Sequence, residues 1–248
     1  MLQGLTIVIT GAARGVGAEI AADCAAKGAR LVLGDIREEQ GQAVAQALSS
    51  KGASVRFARV DLADPSSVDA FAADIRKHEG VLHGLVNNGA IATEVGGKPF
   101  EEIDIDLWDR VMRVNIRGTW LMTRAMSPLF APTGGQIVNL ASDTALWGPT
   151  NLLAYVASKG AVISMTRSLA RELGPRRIGV IAVAPGIMRN EATDYVPAFR
   201  HQQYEQGRAV PGPQYPQDIV DTVSFMLTPS AIAMTGQVVP VNAGFVFT

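Results

Sequence analysis

The sequence is poor in the residues that build disulfides, metal sites and nucleic-acid surfaces. Its 248 residues include one cysteine and three scattered histidines, which excludes an intramolecular disulfide and indicates no cluster of metal ligands. The formal net charge of −1 leaves no basic surface of the kind that binds nucleic acid. Because a single cysteine is typical of a reducing compartment, we expect a cytoplasmic protein.

Long apolar runs are also missing. No stretch reaches the roughly 18 consecutive apolar residues that a membrane-spanning helix needs. The apolar start of the chain has no basic segment before it, as a signal peptide would have, and therefore predicts a first strand. A G-x-S-x-G motif, typical of serine hydrolases, is absent as well. We therefore expect neither a membrane partner nor hydrolase chemistry of that type.

Short, β-branched apolar runs alternate with segments of helical periodicity along the whole chain. The predicted strands cover residues 5–10, 30–34, 54–59, 82–87, 136–140, 178–184 and 237–241. The predicted helices include 38–51, 65–78, 101–129, 155–173 and 218–227. This alternation predicts an α/β fold of the Rossmann type, a doubly wound, seven-stranded parallel sheet with helices on both faces. No linker or repeat interrupts it, so we predict one domain over residues 1–248.

A glycine-rich turn follows the first predicted strand. Residues 10–17 read TGAARGVG, and a helical segment begins there. Such a turn brings backbone N–H groups and a helix N-terminus to a pyrophosphate. The second strand ends in Asp35, eighteen residues beyond Gly17, where a carboxylate can accept hydrogen bonds from both hydroxyls of an adenosine ribose. We therefore predict a dinucleotide site, in preference to a solvated aspartate at a strand end.

Tyr155 and Lys159 are four residues apart in a run with helical spacing of apolar residues, which places both on one helix face. The pKa of a free tyrosine is about 10, and a neighbouring cation favours the phenolate. A general acid or base works best with its pKa near the operating pH. The pair therefore predicts a proton-transfer group whose pKa is lowered by Lys159 and by a cofactor's positive charge. The alternative is a chance pair on a solvated helix face.

Polar residues or glycines follow the ends of six predicted strands, where ligands of open parallel sheets bind. They are Gly11, Asp35, Asp61, Asn88, Ser142 and Pro185-Gly186. Their common position favours a functional site over six unrelated surface residues.

Taken together, these motifs resemble the short-chain dehydrogenase/reductase family over nearly the whole chain. The matching pieces are Thr10-Gly11-x-x-x-Gly15-x-Gly17, Asp61, Asn87-Asn88, Asn115, Ser142, Tyr155-x-x-x-Lys159 and Pro185-Gly186. The resemblance implies that Asn115, Ser142, Tyr155 and Lys159 form a catalytic tetrad with a nicotinamide cofactor. In it, Tyr155 exchanges the hydroxyl proton and Ser142 holds the substrate oxygen. Lys159 binds the nicotinamide ribose and lowers the pKa of Tyr155, while Asn115 holds a water that links Lys159 to solvent.

We expect the cofactor to be NAD, with NADP less favoured, because Asp35 would repel a 2′-phosphate. Arg14 and Arg37 partly offset that repulsion. The predicted cofactor contacts are Gly11, Arg14, Gly15, Val16, Gly17, Asp35, Ile36, Asp61, Leu62, Asn88, Tyr155, Lys159, Pro185, Gly186 and Met188.

The predicted substrate is a small-molecule secondary alcohol or ketone, apolar and tolerant of a ring. The predicted substrate contacts are Ser142, Trp147, Leu152 and Tyr155, with Leu153, Tyr195 and Phe199 as further apolar residues. For Trp147, ordinary packing is an equal alternative. Residues 188–216 are polar and interrupted by Tyr, Pro and Gly, and we predict a substrate-binding lid there.

Two other functions remain open on the sequence. One is a 3-oxoacyl-carrier-protein reductase that uses NADPH, which Asp35 and the lack of a basic cluster disfavour. The other is a non-catalytic scaffold that responds to NAD(H), which the intact tetrad positions disfavour. The resemblance also implies a homotetramer, with residues 101–129 and 155–173 in one interface and the C-terminal segment in another.

Overall fold

Seven parallel strands form the sheet around which the chain is built, in the order β3-β2-β1-β4-β5-β6-β7. The computed structural model describes residues 1–191 and 193–248. The strands are β1 Thr6–Thr10, β2 Arg30–Asp35, β3 Val55–Arg59, β4 Gly84–Asn87, β5 Gly135–Leu140, β6 Ile178–Pro185 and β7 Val238–Val241. Every predicted strand is confirmed to within two residues at each end. The chain order reverses direction between β1 and β4, which places a crevice at the carboxyl ends of these two strands.

Helices cover both faces of the sheet. They are α1 Gly15–Ala26, α2 Glu38–Ser49, α3 Pro65–His78, α4 Ile105–Val111, α5 Thr119–Met126, α6 Thr144–Trp147, α7 Leu153–Leu173, α8 Ala198–Gly207 and α9 Gln217–Met226. Short 3-10 turns cover Phe100–Glu102, Ser127–Leu129, Gly174–Arg176 and Pro229–Met234. Within the described ranges, no helix combines the length and the apolar character that crossing a membrane requires.

The apolar core has one layer on each side of the sheet. On one face, α1, α2 and α9 bury residues such as Ile20, Leu48 and Val223 against β1 and β2. On the other face, α3, α5 and α7 pack against β4 and β5. Because both faces are covered, the central strands β1, β4 and β6 are buried along their whole length. The doubly wound Rossmann-type architecture predicted from the sequence is therefore confirmed.

The long helical segment predicted over 101–129 is confirmed as continuous helical backbone from Ile105 to Leu129, but its helix type changes along the way. The structure divides it into α4, a π-helical segment over Met112–Gly118, and α5, and Asp104 caps α4 by accepting a hydrogen bond from Leu107 N. The Thr119 hydroxyl donates to the Asn115 carbonyl at 2.8 Å, within the wider π-turn. Apolar periodicity continues through this segment, so it could not reveal the change. A π-turn inside a helix is often found at a functional site.

The segment predicted as an irregular lid contains helix α8. Only two of its side chains, His201 and Tyr204, are buried; Phe199 is exposed, and most of the other residues of the helix are polar. A helix anchored by so few contacts has a weak periodic signal, which is why the sequence did not predict it. The predicted lid also includes residue 192, which lies outside the described residues.

Candidate active site

A single cavity of about 960 Å³ opens at the carboxyl ends of the strands. All of the predicted cofactor residues line it, and so do all of the predicted substrate residues except Leu153; of the predicted catalytic residues only Asn115 does not. The six strand-end features thus meet in one place. This follows from the parallel sheet, which brings all its carboxyl ends to the same edge.

The glycine turn forms a tight cradle at one end of this cavity. Gly11 and Gly15 have positive φ values of 66° and 55°, which other L-residues rarely adopt. A Cβ atom at Gly17 would lie 2.1 Å from the Gly11 carbonyl oxygen. Only glycine therefore lets α1 begin against the turn, with its N-terminus facing the cavity. Such a cradle fits a dinucleotide pyrophosphate.

Asn88 braces this turn from β4. Its side-chain amide donates to the carbonyl oxygens of Thr10 and Gly11, both at 3.0 Å. In return the Thr10 hydroxyl accepts hydrogen bonds from the backbone N–H groups of Asn88 and Gly89, at 3.1 and 3.0 Å. These four bonds fix the two strand ends that flank the crevice.

The Asp35 carboxylate is held in place by the backbone. One oxygen accepts from Ala13 N at 3.1 Å, and the other from Arg37 N at 3.0 Å. Each oxygen keeps a lone pair toward the cavity, where an adenosine ribose would place its hydroxyls. The two arginines that flank the turn are arranged differently. Arg14 pairs with Glu191 at 3.1 Å, and Arg37 donates to Gln40 at 3.3 Å.

Tyr155 and Lys159 lie on the same face of α7, with the Lys159 Nζ atom 5.7 Å from the centre of the Tyr155 ring. The ammonium group donates to the Leu140 carbonyl at 2.6 Å. Burial lowers the pKa of Lys159 to about 8. Burial also raises the pKa of Tyr155, although a hydrogen bond with Ser142 acts in the opposite direction. Desolvation is the largest influence on this phenol, and the lowering predicted from Lys159 together with a cofactor's positive charge stays a prediction.

Asn115 braces the loop after β4 from the π-helical segment. Its side-chain oxygen accepts from Ile91 N at 2.8 Å, and its amide donates to the Ile91 carbonyl at 3.0 Å and to the Ser158 hydroxyl at 3.1 Å. Asn115 is only 1% exposed and faces α7. Its side chain therefore joins the loop after β4, the π-helical segment and α7. The contact on α7 is to Ser158, the residue next to Lys159.

The opposite end of the cavity is largely apolar. Trp147 and Leu152 line it as predicted, together with Tyr195 and Phe199. Trp147 also packs edge-on against Tyr204, in agreement with the packing alternative, while its contact with substrate stays a prediction. Leu153 was predicted here but is 45% exposed outside the cavity, because it begins α7 on the solvent side.

The sequence reasoning missed Asp143 and Tyr204, and it considered Glu191 for a polar part of the substrate but not as the partner of Arg14. Asp143 follows Ser142 directly and is fully buried, Tyr204 on α8 donates a hydrogen bond to it, and Glu191 binds Arg14. For Asp143 a signal existed, since a carboxylate beside a predicted catalytic serine is unusual for a buried position. For Tyr204 and Glu191 the sequence holds no comparable signal.

Comparison with known proteins agrees with this geometry. Residues 11–246 match the protein family described as enoyl-(acyl carrier protein) reductase. The 3-alpha-(or 20-beta)-hydroxysteroid dehydrogenase of Mycobacterium tuberculosis is 33% identical, over 99% of this chain and 90% of that protein. The 3-oxoacyl-[acyl-carrier-protein] reductase FabG of Aquifex aeolicus is 29% identical, over 98% of each protein.

A solved structure adds a cofactor to the comparison. The blue fluorescent protein from a metagenomic library, crystallised with NADPH, is 30% identical and superimposes with a TM-score of 0.91 over 99% of each chain. Fold and cleft define a nicotinamide-dependent oxidoreductase. The chain belongs to the short-chain dehydrogenase/reductase family, whose members named above act on alcohol or ketone groups.

Proposed function

We propose that this protein is an NAD(H)-dependent oxidoreductase that interconverts a secondary alcohol and a ketone on a small apolar or ring-containing substrate. The observation that carries the proposal is the shared cavity. Ser142, Tyr155 and Lys159 line the same space as the glycine turn and Asp35, with an apolar wall beside them. An alcohol bound at Tyr155 would therefore lie next to the nicotinamide end of the cofactor.

The chain's own residues hold the cofactor in this proposal. The glycine turn and the α1 N-terminus take the pyrophosphate, Asp35 accepts the adenosine ribose hydroxyls, and Lys159 donates to the nicotinamide ribose. A bound nicotinamide cofactor would supply the hydride chemistry of the reaction at the carbinol carbon. Asp61, Leu62 and the residues after β6 enclose the remaining edges of the cofactor.

Tyr155 and Ser142 act on the substrate oxygen. In the reducing direction the Tyr155 hydroxyl donates its proton to the carbonyl oxygen, where negative charge develops, and Ser142 donates a hydrogen bond to the same oxygen. The raised pKa of Tyr155 keeps the phenol protonated for this step. The pKa of Lys159, about 8, suits proton exchange near neutral pH. Asn115 fixes the loop and the α7 turn that hold this group.

NAD is favoured over NADP because the carboxylate of Asp35, which repels a 2′-phosphate, is fixed in place, whereas the guanidinium of Arg14, which attracts it, is not. Asp35 is held by two backbone bonds, whereas Arg14 is already paired with Glu191. At about 4 Å and an effective dielectric of about 20, each unit of like charge costs about 4 kcal/mol before relaxation. We expect a preference for NAD of at least ~10-fold, or ~1.4 kcal/mol. The Asp35→Ser substitution should reduce or reverse this preference for NAD. A wild-type preference for NADP would contradict the argument.

The experiment that tests the function is a turnover panel. Purified protein is assayed with NAD and NADP on 2-propanol, cyclohexanol and 1-phenylethanol, and with the reduced cofactors on the matching ketones and on 3-oxoacyl thioesters. The proposal expects NAD-dependent turnover of the ring-containing alcohols. Turnover confined to thioesters with NADPH would favour the carrier-protein reductase. NADH binding without any turnover would favour a scaffold.

We further propose a homotetramer, as in the family resemblance. The exposed aromatic residues Trp120 on α5 and Phe247 near the C-terminus are 45% and 80% exposed in the isolated chain. Phe245 needs no partner subunit to cover it, because it stacks on Tyr204 with ring centres 4.1 Å apart. Light scattering at micromolar concentration tests the assembly, and a monomer would overturn it.

A further inference from the structure

Asp143 lies where three strand ends and the lid helix α8 meet, although the reaction outlined above does not use it. Its backbone N–H donates to the Pro185 carbonyl at 3.0 Å, which joins the ends of β5 and β6. One carboxylate oxygen accepts from the Tyr204 hydroxyl at 2.8 Å, and the other from the Asn242 amide, just after β7, at 3.1 Å. The side chain is fully buried.

These bonds continue to the wall of the substrate cavity. The Tyr204 hydroxyl accepts a hydrogen bond from the Trp147 indole N–H at 2.9 Å. The carbonyl of Asp143 also accepts from the backbone N–H of Trp147 at 3.2 Å. Around this chain, Trp147, Tyr204 and Phe245 form an aromatic cluster with ring centres 4.1 to 5.9 Å apart. The orientation of the indole thus depends on Asp143 through both backbone and side chain.

The direction of each hydrogen bond in this series, from Trp147 through Tyr204 and from Asn242, requires an acceptor at position 143. Asn242 cannot rotate its amide to offer oxygen, because that oxygen already accepts from the backbone N–H groups of Gly244 and Phe245 at 3.1 and 3.2 Å. The Tyr204 hydroxyl has its lone pair facing the Trp147 N–H, so its own hydrogen must go to position 143. Two side-chain donors therefore point at this residue, besides the Thr144 backbone N–H, and of the side chains of this size only a carboxylate accepts on both of its arms.

An amide at position 143 would break the pattern in either orientation. If its NH₂ group faced Asn242, two donors would oppose each other. If it faced Tyr204, the tyrosine hydrogen would be left without an acceptor in a site where Tyr204 is 2% exposed. A buried donor without a partner is unstable, so the ring would move to find one.

We propose that Asp143 is a positioning residue that, through Tyr204, fixes Trp147 as the rigid wall of the substrate cavity and so determines which substrates the enzyme accepts. The effect on substrate selectivity rests on the proposed function. The claim that Asp143 holds Trp147 in place rests on the observed contacts alone. Ring-containing substrates depend on a rigid apolar wall, whereas a three-carbon alcohol makes little contact with it.

The first test does not use activity. In a Trp108→Phe, Trp120→Phe background, Trp147 is the single indole, and its quenching by acrylamide measures how firmly it is held. Asp143→Asn and Tyr204→Phe should each raise the quenching constant at least ~2-fold, since each removes the bond chain while Tyr204→Phe keeps the stacking on Phe245. Tyr215→Phe, at a tyrosine that is 46% exposed, is the matched control. Unchanged quenching in both variants would overturn the proposal.

The second test measures specificity in the wild-type tryptophan background. With NAD, the ratio of kcat/KM for cyclohexanol to that for 2-propanol should fall 5- to 10-fold in Asp143→Asn and in Tyr204→Phe, about the size of one lost hydrogen bond. The change should lie in KM for cyclohexanol, with kcat for 2-propanol within ~2-fold of wild type. A parallel loss for both alcohols would show a merely structural role and overturn the proposal. If the wild type oxidises neither alcohol, the proposed function fails while the quenching result still decides the role of Asp143.

Discussion

The Arg14 guanidinium donates to the Glu191 carboxylate at 3.1 Å, across 177 residues of sequence. The bond links the glycine turn to the segment between β6 and α8, over the mouth of the cofactor cleft. Arg14 is also the cation that would favour a 2′-phosphate. The lid and the cofactor preference therefore depend on the same pair.

Glu191→Gln should release Arg14 and improve the use of NADP. The pair is partly exposed, so its free energy is small, and we expect kcat/KM with NADP to rise about 3- to 10-fold. Turnover with NAD should stay within ~2-fold, because Asp35 is unchanged. The measurement is the ratio of kcat/KM for the two cofactors on one alcohol, with Glu102→Gln as a control on an exposed turn. An unchanged ratio would show that Arg14 does not reach the phosphate.

Tyr155→Phe should abolish turnover and leave NADH binding nearly unchanged, because it removes only the hydroxyl that carries the proton. The loss expected for a general acid or base is ~10²–10⁴-fold. Lys159→Ala should weaken both, since the ammonium group is assigned to the ribose as well. The comparison uses single-turnover kinetics and NADH fluorescence titration. A phenylalanine variant that keeps more than a tenth of wild-type kcat would refute the assignment.

Substrate selectivity should depend on pH through Asp143. Burial raises the pKa of Asp143 to about 6, although hydrogen bonds from Tyr204 and Asn242 lower it. Above pH 6 the carboxylate accepts both donors, whereas below it the added proton competes with them. The pKa values of Tyr204 and Tyr155 are raised, so both stay neutral in this range, and Arg208 stays charged.

We therefore expect KM for cyclohexanol to rise as the pH falls from about 7 to 5, relative to KM for 2-propanol. In Tyr204→Phe the carboxylate no longer holds the wall, so the ratio of the two KM values should stay flat over this range. His201 is unchanged in that variant, so a pH dependence of the ratio that persists there would point to a group other than Asp143. A flat ratio in the wild type would exclude Asp143 as the titrating group.

Gly17→Ala should disrupt the cofactor cradle. The new Cβ would lie 2.1 Å from the Gly11 oxygen and 2.5 Å from the Asn88 amide, so the turn must move. Overpacking of this kind costs ~1–3 kcal/mol, and NADH affinity should fall with it. Thermal unfolding and NADH titration measure the two effects. Gly160→Ala, where a Cβ inside helix α7 meets open space, should lower neither; equal behaviour of the two variants would contradict the argument.

Ligand binding should order the lid unevenly. Helix α8 is anchored by buried Tyr204, so we expect its amides to be protected already without ligands. Residues 193–197 make fewer buried contacts, and hydrogen exchange there should slow when NADH and a ketone bind together. Exchange mass spectrometry with and without ligands gives both rates. Identical rates over 193–197 in the two states would count against closure.

The strands and the cofactor half of the site were predictable from the sequence. Alternating apolar runs mark the strands, and a parallel sheet brings every carboxyl end to one edge, so residues found at strand ends must meet. That is why Gly11, Asp35 and Ser142 line one cavity as predicted. The glycine turn needs no long-range information, because its conformation follows from the residues themselves.

The π-helical segment that carries Asn115, and the desolvation of Tyr155, came only from the structure. A π-turn keeps the apolar periodicity of its neighbours, and desolvation depends on what the fold places around a group.

The substrate half of the site was decided by tertiary contacts that join distant parts of the chain. Asp143 accepts hydrogen bonds from Tyr204, 61 residues away, and from Asn242, 99 residues away. Which of these groups donates and which accepts is set only when the fold brings all three together. Sequence patterns register the burial of a residue and the period of a helix, whereas the direction of a hydrogen bond depends on which donors arrive from elsewhere. The sequence therefore determined the sheet and the dinucleotide cradle, and folding alone decided that a carboxylate beside Ser142 would hold the wall against which the substrate binds.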